Sequence, residues 1–165
     1  KVENKSKLDK IFKFVIEQTF EDPEVIIYCG DVYRHQYRLH EAEEMYKQAI
    51  IIDPGNVNYV RNLAGLYFDM EEWQKAEKYY NILINKNPNE SDYYISLVFI
   101  YFFQERPVDE INLLKQTINL FPNESFFPRT LGDIYFHKKN LEVARDLYSR
   151  AIKLVPSLKD DLPQI

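Results

Sequence analysis

Apolar positions recur along the chain with two nested periods. The short period is helical: Ile26, Cys29, Gly30 and Tyr33 share one helix face, and so do Ala42, Tyr46, Ala49 and Ile50. The long period is 34 residues, kept by Tyr33, Tyr67, Tyr101 and Tyr135, by Ile50, Ile84, Ile118 and Ile152, and by Pro54, Pro88, Pro122 and Pro156. Three columns in one register predict a repeat array. In such an array no repeat buries its apolar face alone, and stability is summed over neighbours. Each repeat predicts a first helix A, a second helix B, and a proline-containing turn such as Asp53-Pro54-Gly55-Asn56.

Residues 1–22 predict one further helix, with Leu8, Phe12, Val15 and Ile16 on one face. One period later these positions are Ala42, Tyr46, Ala49 and Ile50, so this helix is either a cap or the second helix of a truncated upstream repeat. Four repeats follow at 23–56, 57–90, 91–124 and 125–158, with a tail at 159–165. Asp22 before Pro23 predicts the start of the first repeat. The tail is short and broken, which predicts that it leaves apolar surface on the fourth repeat uncovered.

Small residues mark where paired helices cross. Gly30, Ala64 and Gly132 hold one such column on the A helices, and Ala42, Ala76 and Ala144 hold its counterpart on the B helices. The third repeat is degenerate: Val98 and Glu110 replace the small residues, and Thr117 stands where Ala49 and Ala151 stand. Arg106-Pro107 falls at its internal turn. The apolar face of its B helix reads Val108, Ile111, Leu114 and Ile118, which predicts a rotated or displaced helix.

Ile26, Cys29-Gly30, Tyr33, Ala42, Tyr46 and Pro54 together resemble the signature of the tetratricopeptide-repeat family. The second repeat (Leu63-Ala64, Tyr67, Ala76, Tyr80, Pro88) and the fourth (Leu131-Gly132, Tyr135, Ala144, Tyr148, Pro156) carry the same pattern. The resemblance implies an all-α, right-handed superhelical array of helix-turn-helix repeats, an α-solenoid. It implies a non-catalytic protein–protein interaction scaffold whose A helices line a concave groove for a peptide or helical segment. Carried onto this chain, the groove residues are Arg61, Asn62, Phe68, Phe99, Phe102, Phe103, Arg129, Phe136 and His137, with Asp31 and Asp133 on the same faces. The carboxylate clamp of the chaperone co-factor subgroup is not matched, because Ile27, Asp31, Gly65, Asp92 and Ser96 occupy its places. Five phenylalanines on the inner face point instead to an apolar or amphipathic segment, with Arg61 and Arg129 free to pair acidic flanking residues. Two alternatives remain: self-assembly into a homo-oligomer through uncovered terminal repeats, and a regulatory module of a larger enzyme or secretion or assembly complex.

Charge and chemistry narrow the partner. Net charge is −5, from 21 basic and 26 acidic residues, which opposes a general nucleic-acid role. The apolar runs are too short to insert into a membrane. Cys29 is the sole cysteine, so no internal disulfide forms; this fits a reducing compartment such as the cytoplasm. Its column is otherwise Leu63, Leu97 and Leu131, so it reads as packing. His35, His40 and His137 form no metal-ligand or catalytic spacing, and no glycine-rich phosphate loop occurs. No catalytic residue, cofactor or metal is expected. The acidic groups Glu41, Glu43 and Glu44, Glu71 and Glu72, and Asp109 and Glu110 lie near B-helix starts, where the helix dipole favours them. Asn89-Glu90-Ser91 and Asn123-Glu124-Ser125 read as helix caps.

Overall fold

The structure is a computed structural model and describes residues 2–19 and 22–163. Its described residues form helices and turns, in two compact units, Lys1–Lys86 and Asn87–Ile165. The first unit holds α1 (Val2–Gln18), α2 (Pro23–His35), α3 (Leu39–Ile52), α4 (Val57–Asp69) and α5 (Trp73–Lys86). The second holds α6 (Ser91–Phe103), α7 (Pro107–Leu120), α8 (Phe126–His137), α9 (Leu141–Leu154) and the short α10 (Leu158–Asp161). The even-numbered helices α2 to α8 are the A helices, and α3 to α9 are the B helices. At 12 to 14 residues each, these helices would be marginal alone and depend on their partners.

Local signals set the helix ends. Asp22 accepts the Glu24 N–H at 2.9 Å, and Pro23 sits in the first turn of α2, where its missing N–H costs nothing. Asn56 and Asn140 cap α4 and α9 through their side chains. Ser125, expected as a cap, makes no side-chain cap bond; the Glu124 carboxylate meets the Phe126 N–H instead, at 3.5 Å. Between each A and B helix the chain turns through a left-handed residue: Tyr37, Glu71, Glu105 and Lys139, with φ of 58°, 57°, 54° and 62°. The next residue's N–H reaches back to the Tyr33, Tyr67, Tyr101 or Tyr135 carbonyl at 2.9–3.0 Å, closing the helix end as a Schellman turn. None of the four is glycine, so each holds a conformation that costs an L-residue energy.

Within three A–B pairs, packing is closed by small residues. Ala42, Ala64, Ala76 and Ala144 are fully buried. A Cβ added to Gly30 would lie 2.5 Å from Tyr46 Cε1, and one added to Gly132 would lie 2.6 Å from Tyr148 Cε1. The phenols that lie on these glycines donate to the carboxylates beside them, Tyr46 to Asp31 and Tyr148 to Asp133. A second set of ties links neighbouring repeats in the first unit. Tyr33 donates to Asp9 of α1, and Tyr67 donates to Glu43 of α3, both at 2.8 Å. Burial pushes the Glu43 carboxyl up, but hydrogen bonds from Lys47 and Tyr67 and the Lys47 charge outweigh it and hold the group below its ordinary range.

The α6–α7 pair is different. Its backbones run close over a shorter stretch than those of the other three pairs. A ring lattice supports this unit instead: Tyr94 on Phe121, Phe121 on Phe127, Phe127 on Phe126 and Phe126 on Phe99, with centroids 5.1–5.7 Å apart. At the end of the second unit, Leu158 and Leu162 pack on Ala144, Tyr148 and Ala151. Spaced four apart, they share one face, so the tail covers part of α9, while Leu141, Leu154 and Val155 of the fourth repeat stay exposed.

Two stability changes follow from these contacts. Gly132→Ala should cost about 1–3 kcal/mol through overpacking against Tyr148. In urea unfolding, the double change Gly132→Ala/Tyr148→Leu should be less damaging than the sum of its singles, because leucine vacates the space over position 132 that the added methyl enters. Lys139→Gly should raise stability by about 0.5–1 kcal/mol, since glycine relieves the left-handed strain at some cost in unfolded-state entropy.

Candidate functional site

The two units offer inner faces of different chemistry. In the first, α2 and α4 are joined by an ion pair, Arg34 to Asp69 at 2.6 Å. A Cβ added to Gly65 would only touch the Arg34 guanidinium, at 3.4 Å. Asp31, Arg34, His35, Tyr37 and Asp69 border a hollow of about 370 Å3. Arg61 is exposed and Asn62 half-buried on α4, while the Phe68 ring lies edge-on to Trp73 at 5.3 Å. This face is polar and largely paired within itself.

The second unit is the opposite. Helix α6 is apolar on all sides, from Tyr93 through Phe103, and so cannot bury every face against a partner helix. Phe99, Phe102 and Phe103 remain 41, 60 and 50 % exposed. Phe99 and Phe102 form one wall of a cleft of about 850 Å3. Val98 lies at its base, Pro107 and Glu110 come from the start of α7, and Thr130, Asp133, Ile134 and His137 come from α8. Its size is that of a ligand or side-chain pocket.

Among the groove residues read from sequence, Phe99, Phe102 and His137 come together at this cleft. Phe103 stands beside it, edge-on to Phe102 at 5.5 Å. Phe136 packs with Tyr148 and lies edge-on to His137, and Arg129 is exposed elsewhere on α8. Arg61, Asn62 and Phe68 belong to the first unit. Asp31 and Asp133 hold tyrosine hydroxyls, so their carboxylates are already engaged.

Glu110 is the cleft residue that a groove drawn from A helices alone misses. It is 7 % exposed, on a B helix, in a column that is alanine in the other repeats. Among the described residues its carboxylate has no hydrogen bond or ion pair. Burial pushes the carboxyl above its ordinary range, and the Lys138 charge only partly opposes this. Arg106, also lining the cleft, is committed: it donates to Asp109 at 2.7 Å and Gln104 at 2.9 Å, and lies 4.4 Å over the Tyr101 ring. Cys29 is buried in the first unit, where burial pushes its thiol up, as befits a packing residue. No group of three or more His, Cys, Asp or Glu among the described residues could hold a metal ion. Nor is any described helix long and apolar enough to cross a membrane.

Two tetratricopeptide repeat family profiles match the chain, at residues 33–98 and 130–157. Comparison with curated protein sequences finds no match. Among solved structures, a crystal structure of MamA is similar over 97 % of this chain and 95 % of its own, at 20 % identity and a TM-score of 0.74. MamA from Desulfovibrio magneticus RS-1 is similar over 93 % and 89 %, at 14 % identity and a TM-score of 0.71. YrrB, described as a TPR protein with an unusual peptide-binding site, is similar over 90 % and 77 %, at 17 % identity and a TM-score of 0.65. The chain is a tetratricopeptide-repeat protein with the all-α solenoid fold of that family.

Glu110 sets a pH signature. Its folded pKa is raised, so the penalty is absent below the ordinary carboxylate range and grows as pH rises through the raised value. Glu110→Gln should therefore gain stability relative to the natural chain as pH rises from about 4 to about 7 in matched urea titrations.

Proposed function

We propose that this protein is a non-catalytic interaction scaffold that holds an apolar or amphipathic segment of another protein. The observation that carries the proposal is the exposed aromatic face of α6, with its cleft between α6, α7 and α8. Water-exposed rings gathered around a concavity are an unfavourable surface unless a partner covers them. Aromatic anchors in such a pocket each carry roughly 2 kcal/mol or more of binding energy. The family resemblance favours the same face, because A helices line the inner side of these arrays. The acidic net charge, −5, favours a protein partner over a nucleic acid.

Self-association is the second reading, favoured by the same exposed rings. Leu158 and Leu162 cover part of α9, and the exposed Leu141, Leu154 and Val155 are the apolar surface of the last repeat left for such a contact.

A displayed peptide library selected on the natural chain tests the first reading. Selected peptides should bind Phe99→Ala/Phe102→Ala at least about tenfold more weakly, which is about 1.4 kcal/mol, with the helical circular dichroism retained. Peptides that bind both proteins equally would sink the assignment to this face. Sedimentation addresses self-association: a mass that rises with concentration, and ceases to do so in the double variant, would favour it.

A further inference from the structure

Three of the four repeats place alanine where helix B meets helix A, and the third places Glu110. Packing at that column asks for a methyl group, so a carboxylate there is not explained by the fold. The side chain is more than nine-tenths buried, yet it borders an open cleft walled by Phe99, Phe102 and Ile134. No described residue pairs it. Neither carboxylate oxygen is a fully buried unsatisfied atom, so the group faces the cleft, and the cleft is the route by which a partner could reach it.

We propose that the cleft takes a basic side chain of the partner segment, its stem between Phe99, Phe102 and Ile134 and its charged head at Glu110. This deepens the scaffold assignment and rests on the aromatic face being the partner surface. The surrounding groups favour an incoming cation. Arg106 is spent on Asp109, Gln104 and the Tyr101 ring, and Asp133 holds the Tyr148 hydroxyl. Glu105 and Asp133 add negative charge to the lining. Lys138 lines the cleft and is the cation whose field reaches Glu110, yet it is exposed and makes no ion pair with it among the described residues. Arginine fits better than lysine: its planar guanidinium can lie on a phenylalanine ring while two of its N–H groups donate to one carboxylate. Its stem is long enough to cover apolar wall while the head reaches the floor.

The test uses the full chain, labelled with 15N, and two blocked peptides, Leu-Arg-Leu and Leu-norleucine-Leu. In NMR titrations the arginine peptide should shift the amides of Val98, Glu110 and Ile134 and bind at least about tenfold tighter than the norleucine peptide. Glu110→Gln, close in size, should abolish that preference. Glu110→Ala, which restores the alanine of the other repeats, should abolish it as well and guards against a folding artefact of the first change. Equal binding of the two peptides at these amides would overturn the cation assignment and leave the apolar partner face standing. An arginine preference that survives both Glu110 variants would also overturn it. If neither peptide shifts these amides, the inference and the face on which it rests fall together.

Discussion

The contact on which the first and last repeats depend is a ring lying where a side chain is missing. Tyr46 occupies the space over Gly30, and Tyr148 the space over Gly132, so closely that one added carbon would collide. Helices of 12 to 14 residues gain little from propensity alone, and in these two pairs this contact adds to the burial that holds the helices together. Burying a phenol demands an acceptor for its hydroxyl. The residue after each glycine, Asp31 or Asp133, provides it. Small residue, carboxylate and tyrosine thus form one physical set in the first and fourth repeats, while the second keeps Ala64 and Tyr80 with Gly65 in the aspartate's place.

The third repeat changes all three. Val98 replaces the small residue, Leu114 replaces the tyrosine, and Phe99 replaces the aspartate. Volume has moved from helix B to helix A, and the hydroxyl is gone, so the carboxylate has nothing to accept. Val98 and Leu114 remain buried, which shows that the exchange satisfies packing. What it does not restore is the close approach of the backbones. The cleft opens at Val98 and Glu110, the two columns that close the other pairs with glycine or alanine. Phe99, relieved of its polar task, becomes part of the wall.

Much of this was legible in the chain. The 34-residue period and the helical faces within it gave the helix pairs, and the loss of Gly, Ala and Tyr from their columns singled out the third repeat. The left-handed turn residues were not legible, because Tyr37, Glu71, Glu105 and Lys139 share a backbone conformation and no side-chain chemistry. Glycine, the usual sign of that conformation, is absent from all four. The ties from Tyr33 to Asp9 and from Tyr67 to Glu43 left a usable signal: both carboxylates stand in one column, 24 residues before their tyrosines. The helix dipole offered a sufficient account of Glu43 and concealed that role. Asp31 and Asp133 were assigned to the groove from their helix face, although the hydroxyls 15 residues ahead already claim them. The cleft itself depends on how far apart α6 and α7 settle, a distance that no periodicity encodes.

Helix α7 contains its own control for the meaning of Glu110. Thr117 is a second polar residue, in a column where the first and fourth repeats carry alanine and the second carries Leu83, and it is fully buried. Its hydroxyl turns back onto the Leu113 and Leu114 carbonyls at 3.0 and 3.1 Å, so burial leaves nothing unsatisfied. That is drift the helix absorbs. Glu110 lies two turns earlier on the same helix and cannot turn back in this way, because an ionised carboxylate has no proton to donate to a carbonyl; its oxygens face the cleft instead. Two substitutions of the same kind therefore differ in energy for a chemical reason. A threonine there is nearly silent, whereas a glutamate is partly desolvated at the cleft, which raises its pKa and leaves its acceptors turned to whatever enters. A repeat whose neighbours show that alanine suffices, and which nonetheless carries that cost beside an aromatic cleft, has its departure from the repeat pattern concentrated where a partner would bind.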